Sequence, residues 1–206
     1  MRAGWNRLKH PRMIEIFLLR HGETEWNTAG RFQGQLDSPL TARGREHAAQ
    51  LGRILHQAFS NRPVPPLHVS PLGRSRDTAT IVRQCVPGLD LMNIEPRLQE
   101  VSTGAWDGLT AEEIEAGWPG ALVGTDHYDW YFRSPDGEAF EAAFQRVREW
   151  VSEIENPVVA VSHGLLGRLV RGAWLGLPTN EMLRLPVPQD VVWHLSPSGV
   201  RALVET

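Results

Sequence analysis

Alternating strand-like and helix-like segments predict an α/β fold, a three-layer α/β/α sandwich with a mostly parallel central sheet. Two near-continuous apolar runs, Ile14 to Leu19 and Pro157 to Val161, are typical of strands buried on both faces. Apolar residues at three- and four-residue spacing after Thr41, and again from about Glu138 to Ile154, indicate amphipathic helices between these strands. This order favours parallel pairing, because the connecting helices can then cover both faces of the sheet.

The first half of the chain supplies three predicted strands. The first ends at Leu19 and leads into a polar, glycine-containing loop over residues 20–40. Thr41 is then the predicted N-cap of a helix whose apolar positions are Ala48, Leu51, Leu55 and Ala58. Two more strands are predicted at Leu67 to Ser70 and Leu89 to Ile94. The segment between them, Leu72 to about Gln84, has a helical pattern.

The second half begins with an irregular stretch and returns to regular elements. Thr110 and Glu113 predict a capping box for a short helix, and residues 117–136 are rich in Gly, Pro, Asp and aromatic residues. A helix from Leu165 to Trp174 follows the strand that ends at Val161. Two C-terminal strands flank a Pro-Ser-Gly turn and are expected to add a hairpin or edge, over about Val191 to Leu195 and Val200 to Val204.

The length of 206 residues suits one domain with a substantial core. We expect this domain to cover residues 13–206, with an insertion at about 105–141. Residues 1–12 are polar and irregular, and we expect either a disordered leader or an upstream start before Met13.

Composition excludes several kinds of function. The net charge of −3 argues against a general nucleic-acid binder, and a single cysteine, Cys85, cannot form an intrachain disulfide. Lys9 is the only lysine, so a Walker-type nucleotide site and a Schiff-base enzyme are both disfavoured. Without an 18-residue apolar stretch or an apolar signal region, the sequence predicts a cytoplasmic protein that does not bind membranes.

Polar side chains that could bind a ligand or take part in catalysis follow three of the predicted strands. Arg20-His21-Gly22 ends the first, Ser162-His163-Gly164 ends a later one, and Arg74 follows the strand at Leu67. Ligands of open α/β sheets bind beyond the carboxyl ends of the strands, so these side chains are expected to converge. Guanidinium groups pair with phosphate oxygens bidentately, and the sequence therefore predicts a phosphate-binding site.

The chain resembles the histidine phosphatase superfamily, which includes the cofactor-dependent phosphoglycerate mutases, from about Met13 to the C-terminus. Five ordered blocks carry the resemblance: LLRHGETEWN (18–27), RFQGQLDSPLTARG (31–44), SPLGRSRDTA (70–79), LQEVSTGAWDG (98–108) and VVAVSHGLLGRLV (158–170). The resemblance implies a phosphoglycerate mutase-like fold and a phosphatase that forms a phosphohistidine.

The same resemblance implies roles for individual residues. His21 would be the nucleophile, while Arg20, Arg74 and His163 would bind the phosphoryl oxygens and stabilise the transition state. Glu100 would protonate the leaving oxygen and then activate water. Asn27 and the Gln33-Gly34 pair would line the pocket. No cofactor and no divalent metal is implied, since arginines neutralise the charge.

The resemblance leaves two activities open. We favour a metal-independent phosphatase acting on a small phosphate monoester; the alternative is a phosphoglycerate mutase. Mutases usually have Thr-Gly-Trp where this chain has Gln33-Gly34-Gln35, and Glu-Arg-His-Tyr-Gly where it has Glu100 to Gly104. They also carry a longer, basic insertion, whereas residues 105–141 contain only Arg133 as a basic Lys or Arg residue. The segment from Ser134 to Glu138 resembles the Pro-x-Gly-Glu segment of the phosphatases.

The insertion is aromatic, with Trp118, Tyr128, Trp130, Tyr131 and Phe132 close to Asp129. Either these rings contact a partly apolar leaving group, or they form a small core of their own. His127 is a further candidate substrate contact, and the remaining histidines are expected to be structural or exposed: His10, His47, His56, His68 and His194. A homodimer is compatible with the sequence, but no segment singles out an interface.

Overall fold

The computed structural model describes residues 14–124 and 129–205, and it confirms the predicted α/β/α sandwich. The predictions on residues 1–12 and Met13, and those on His127 and Tyr128, lie outside the described residues. Strands and helices alternate along most of the chain, as the apolar periodicity predicts.

Six strands form one sheet. Its strands are β1 (Ile16–Arg20), β2 (Leu67–Val69), β3 (Met92–Ile94), β4 (Val158–Ser162), β5 (Val192–Ser196) and β6 (Gly199–Leu203). Their order is β3-β2-β4-β1-β5-β6. The first four strands are parallel to one another, whereas β5 is antiparallel to β1 and β6 is antiparallel to β5. The C-terminal pair is thus the hairpin at the edge that the Pro-Ser-Gly turn predicts.

Helices cover both faces of this sheet. They are α1 (Glu25–Thr28), α2 (Ala42–Ala58), α3 (Gly73–Cys85), α4 (Ala111–Gly117), α5 (Phe140–Glu153), α6 (Gly164–Leu175) and α7 (Thr179–Met182). Single 3₁₀ turns lie at Pro96–Leu98, Gly104–Trp106 and Asp129–Phe132. Within the described residues, no helix is both long and apolar enough to cross a membrane.

Two apolar cores lie on opposite faces of the sheet. Ile16 and Leu18 of β1 join one core with α5 and α6, whereas Phe17 and Leu19 join the other with α2 and α3. Alternate residues of a strand point to opposite faces, so burial on both sides produces the near-continuous apolar run.

The carboxyl ends of β1, β2 and β4 lie along one edge of the sheet, because these strands are parallel and adjacent. Arg20 pairs with Ser162 in the β1–β4 register, and Val69 pairs with Val161 in the β2–β4 register. The polar residues that follow the three strands therefore share one edge.

Candidate active site

A cavity at the carboxyl edge brings most of the predicted residues together, whereas His163 lies beside His21 but lines a smaller neighbouring cavity with Arg20. The larger cavity is lined by Arg20, His21, Arg74 and Glu100, with Gly164 beside them at the start of α6. The rings of His21 and His163 are 5.2 Å apart between centroids. The backbone N–H of His21 donates to the carbonyl oxygen of Ser162 at 3.0 Å, which extends the β1–β4 ladder to the first of these histidines.

His21 is held as a neutral imidazole whose one lone pair accepts a hydrogen bond from Arg74. Its Nδ1 lies 2.8 Å from the carbonyl oxygen of Gly22, and Arg74 Nε donates to its Nε2 at 3.3 Å. A carbonyl only accepts and a guanidinium only donates, so the proton is on Nδ1 and the lone pair on Nε2. Burial, and then the charges of Arg74 and Arg20, hold the pKa of His21 well below its ordinary value.

Arg74 is anchored by three groups from the loop before α2. Its side chain is 1% exposed, and it donates to the carbonyl oxygens of Gly34 at 2.8 Å and Leu36 at 2.6 Å. The carboxylate of Asp37 accepts from Arg74 Nη1 at 2.8 Å and from the backbone N–H of Gly73 at 2.6 Å. Asp37 therefore caps α3 and fixes the guanidinium on it.

Arg20 keeps a donor for a ligand. Its Nη1 donates to the carbonyl oxygen of Val187 at 2.6 Å, while its buried Nε has no partner among the described residues. Burial is the main cause of its lowered pKa, against the raising effect of the Glu100 charge. A buried guanidinium with an unused N–H is a ready donor to an anion.

His163 is the N-cap residue of α6 and faces His21. Its Nε2 lies 2.7 Å from Ser70 Oγ and 3.3 Å from Ser75 Oγ, while its buried Nδ1 has no partner among the described residues. Burial, with the charge of Arg74 next, holds its pKa well below the ordinary value. The serines orient the ring and leave one nitrogen for a ligand.

Glu100 lies on the cavity wall and also caps a helix. Its Oε1 accepts from the backbone N–H groups of Leu166 at 2.9 Å and Val101 at 3.0 Å, and its Oε2 accepts from Leu165 at 3.1 Å. A carboxylate at a helix N-terminus satisfies free N–H groups and complements the helix dipole. The structure thus adds an anchoring contact to the acid–base role that the sequence suggests.

The three predicted lining residues, Asn27, Gln33 and Gly34, all line the cavity. Asn27 forms a capping box with Thr24 at α1, and Gln33 Nε2 donates to Thr24 Oγ1 at 2.7 Å. Gly34 has a φ of 48°, and a Cβ there would lie 1.8 Å from Asp107 Oδ1. Only glycine can therefore present its carbonyl to Arg74 at this point.

Sequence reasoning missed several cavity residues. Arg31, Phe32, Thr103, Arg168 and Val187 also line the cavity. Arg168 lies four residues after Gly164 on α6, so helical spacing alone could have placed it near the site. Arg31 begins the block RFQGQLDSPLTARG, but the resemblance implies no role for it; it binds Glu113 and the carbonyl oxygen of Gly108.

The aromatic insertion divides into two parts: most of its described rings pack in a small core, as one interpretation predicts, and one ring lines the cavity, while contact with a leaving group stays a prediction. Trp118 and Trp130 pack around the buried Trp106, and Phe132 packs against Phe140 on α5. Tyr131 stacks on Trp130 but also lines the cavity beside Phe32. The insertion's Arg133 instead binds Asp129 and the carbonyl oxygen of Val123.

Two further histidines have structural partners, as predicted. His68 accepts from Trp150 Nε1 at 3.2 Å, and His194 lies between Glu15 and Arg201 while stacking on Phe17. Within the described ranges, we find no group of three His, Cys, Asp or Glu side chains that could hold a metal ion.

Known proteins similar to this chain fall in one superfamily. A model of the histidine phosphatase superfamily (branch 1) matches residues 16–205. Curated proteins named probable phosphoglycerate mutase GpmB are similar over 84% of this chain and 80% of their own length, with 38% identity in Photorhabdus laumondii and 39% in Serratia proteamaculans.

Solved structures are similar over nearly the whole chain. A putative α-ribazole-5′-P phosphatase from Escherichia coli has a TM-score of 0.74 and 26% identity, covering 93% of this chain and 97% of that one. A mycobacterial glucosyl-3-phosphoglycerate phosphatase in complex with VO3 has a TM-score of 0.73 and 30% identity, covering 92% and 97%.

Proposed function

Because the chain belongs to branch 1 of the histidine phosphatase superfamily, we propose that it hydrolyses small phosphate monoesters through a phosphohistidine on His21. The observation that carries the proposal is the state of this imidazole. Its proton is held by the carbonyl oxygen of Gly22, and its Nε2 accepts a hydrogen bond from Arg74 Nε beside the cavity that both residues line. A neutral imidazole is the form that attacks phosphorus, once the bound phosphoryl group takes over the Arg74 donor and releases the Nε2 lone pair.

The first half-reaction transfers the phosphoryl group to the enzyme. Arg20, Arg74 and His163 bind the non-bridging oxygens, and His21 Nε2 attacks phosphorus in line with the ester oxygen. The N–P bond forms as the P–O ester bond breaks, and the leaving oxygen takes a proton from Glu100. Charge stabilisation by the arginines is the main contribution, as in other phosphoryl transfers.

The second half-reaction returns His21 to its starting state. Glu100 takes a proton from a water molecule, whose oxygen attacks phosphorus as the N–P bond breaks. Inorganic phosphate leaves, Glu100 is again protonated, and the Nε2 lone pair is restored. We propose that no divalent metal takes part, since Arg20 and Arg74 supply the positive charge, and activity should therefore persist in EDTA.

Replacing the nucleophile tests the proposal. His21→Ala should abolish hydrolysis of p-nitrophenyl phosphate, because no other group supplies the attacking lone pair. His56→Ala, a histidine exposed on α2, is the matched control and should keep wild-type activity. Quenching with an alkaline denaturant during turnover should trap a phosphoenzyme in the wild type and not in His21→Ala, because the N–P bond of phosphohistidine survives base but not acid. Full activity in His21→Ala, or its loss in EDTA, would contradict the mechanism.

A phosphoglycerate mutase is the second candidate, and two observations favour it. The relatives in Photorhabdus and Serratia are named probable phosphoglycerate mutases. In addition, Arg31 and Arg168 bring positive charge to the cavity wall from outside the insertion. An acidic substrate would therefore meet basic side chains at this wall, although no described residue of the insertion contributes one to it.

One assay separates the two activities. With 3-phosphoglycerate and 2,3-bisphosphoglycerate, a phosphatase releases inorganic phosphate, whereas a mutase forms 2-phosphoglycerate without net release. We expect release of phosphate. A panel of monoesters ranked by kcat/KM would then identify the leaving group, for which Phe32 and Tyr131 favour a partly apolar moiety.

A further inference from the structure

Gln189 connects the segment before β5 to two residues of the active site. Its Nε2 donates to the backbone carbonyl oxygen of His21 at 3.2 Å and to Asn27 Oδ1 at 3.1 Å. The two partners are far away in sequence, and no motif marks Gln189. It is also absent from the cavity wall, so it acts on these residues from behind.

Backbone groups at both ends determine how the two amides point. The carbonyl of His21 only accepts, so Gln189 must present its NH₂ group to it. The same NH₂ group then needs an acceptor on Asn27, which is Oδ1. The backbone N–H of Thr24 only donates, and it also binds Asn27 Oδ1, at 3.1 Å. The His21 carbonyl and the Thr24 N–H therefore determine which terminal atom of the Asn27 amide is the oxygen and which is the nitrogen.

With Oδ1 accepting twice, Asn27 has only Nδ2 to offer the cavity that it lines. We infer that Gln189 is a positioning residue that keeps Asn27 Nδ2 directed at the bound phosphoryl group. The inference rests on the proposed phosphatase function, and it adds a residue that never touches substrate. A donor locked in place before substrate binds needs no reorganisation during the reaction.

Three arginines hold the segment that carries Gln189. Arg168, Arg171 and Arg20 donate in turn to the carbonyl oxygens of Leu185, Pro186 and Val187. Arg171 is buried and lies 4.3 Å from the ring centroid of Trp193. Because Arg20 also lines the cavity, the segment and the phosphate-binding arginine are fixed against each other.

A double-mutant cycle tests the inference. Gln189→Glu removes both donors and places an acceptor against Asn27 Oδ1, so repulsion should displace the Asn27 amide from its contact with Thr24 and withdraw Nδ2. We expect kcat/KM for p-nitrophenyl phosphate to fall by roughly tenfold to a hundredfold, with a similar rise in the inhibition constant of inorganic phosphate. In an Asn27→Ala background, the same substitution should cost less than about threefold, since its target is gone.

Controls separate positioning from a general loss of structure. Gln84→Glu makes the same chemical change at an exposed position of α3 and should leave kinetics unchanged. If Gln189→Glu does not fold, Gln189→Met gives the same cycle without a new charge, with an expected fall of about threefold or more.

Wild-type kinetics in the folded Gln189 variants, or an equal penalty in both backgrounds, would overturn the inference. Retained activity in His21→Ala would instead overturn the phosphatase mechanism on which it rests.

Discussion

His21 is buried between two guanidinium groups, and this environment keeps its imidazole neutral. Protonation would place a third positive charge beside Arg20 and Arg74 without water to solvate it. In the proposed mechanism, the same arginines therefore bind the phosphoryl group and keep the nucleophile neutral. Glu100 is the acidic group on the same cavity wall.

Glu100→Gln should affect substrates according to their leaving groups. Hydrolysis of an alkyl phosphate such as glycerol phosphate should fall by about 10²–10⁴-fold, because an alkoxide needs a proton to leave. p-Nitrophenyl phosphate should fall less, since p-nitrophenolate leaves readily without one. The measurement is kcat/KM for both esters, with a thermal melt to check the cap on α6. Equal falls for the two esters would show that Glu100 only anchors the helix.

The sequence identifies the residues that follow strands, because strand ends can be located from the apolar pattern. Arg20, His21 and His163 are of this kind, and the family motif adds Glu100. Asp37 lies within a block of the resemblance but follows no strand, and the resemblance implies no role for it; Gln189 lies in no block. Each acts through contacts with residues distant in sequence, and only the folded chain shows them.

The start of α2 packs directly against the backbone of the loop that carries His21. A Cβ on Gly44 would lie 1.9 Å from the carbonyl oxygen of Glu23, and a Cβ on Gly22 would lie 2.1 Å from that of Gly44. Both obstacles are backbone atoms, which cannot swing away as a side chain can. Two glycines thus allow a helix and a catalytic loop to pack without side chains between them.

Gly44→Ala should destabilise the protein by about 1–3 kcal/mol and reduce activity, because the loop must shift to admit the methyl group. Gly117→Ala is the matched control: Gly117 lies in α4, and a Cβ added there would meet no atom within 4 Å among the described residues. A helical alanine at this position should stabilise by roughly 0.5–1 kcal/mol. Urea unfolding of both variants checks the pair, and a stable, fully active Gly44→Ala would refute the close packing.

Long elements agree with their predicted ranges to within two or three residues, since many turns or a full apolar run define them. The four-residue helices α1 and α7 escape prediction, because one turn shows no periodicity. β3 begins at Met92 rather than Leu89. Arg83 binds the carbonyl oxygens of Leu89 and Asp90, and these groups are therefore committed to a side chain before the strand starts.

At the scale of the whole molecule, the buried histidines link stability to pH. The pKa values of His21 and His163 are well below 6.5 in the folded state, whereas unfolded histidine titrates near its ordinary value. Below about pH 6.5, the unfolded chain binds protons that the folded chain does not. Stability should therefore fall as the pH falls, by up to about 1.4 kcal/mol per pH unit for each such histidine.

His163→Asn removes one of these groups and should flatten the dependence. Urea unfolding of wild type and variant between pH 7.5 and 5.5 gives the two slopes. Comparing slopes rather than absolute stabilities removes the fixed cost of the substitution. Equal slopes would mean that His163 takes up its proton as easily in the folded state as in the unfolded one.

The sheet order also has a consequence for synthesis. β1 is the first strand to leave the ribosome, yet its neighbours in the sheet are β4 and β5, two of the last three. Until Val158 has emerged, the apolar residues of β1 have no ladder to join, and the His21 loop has no Ser162 carbonyl to bind. The nascent chain therefore carries His21 for most of its elongation without the other cavity residues around it. Such long-range closure is slow and leaves apolar surface open to chaperones or aggregation.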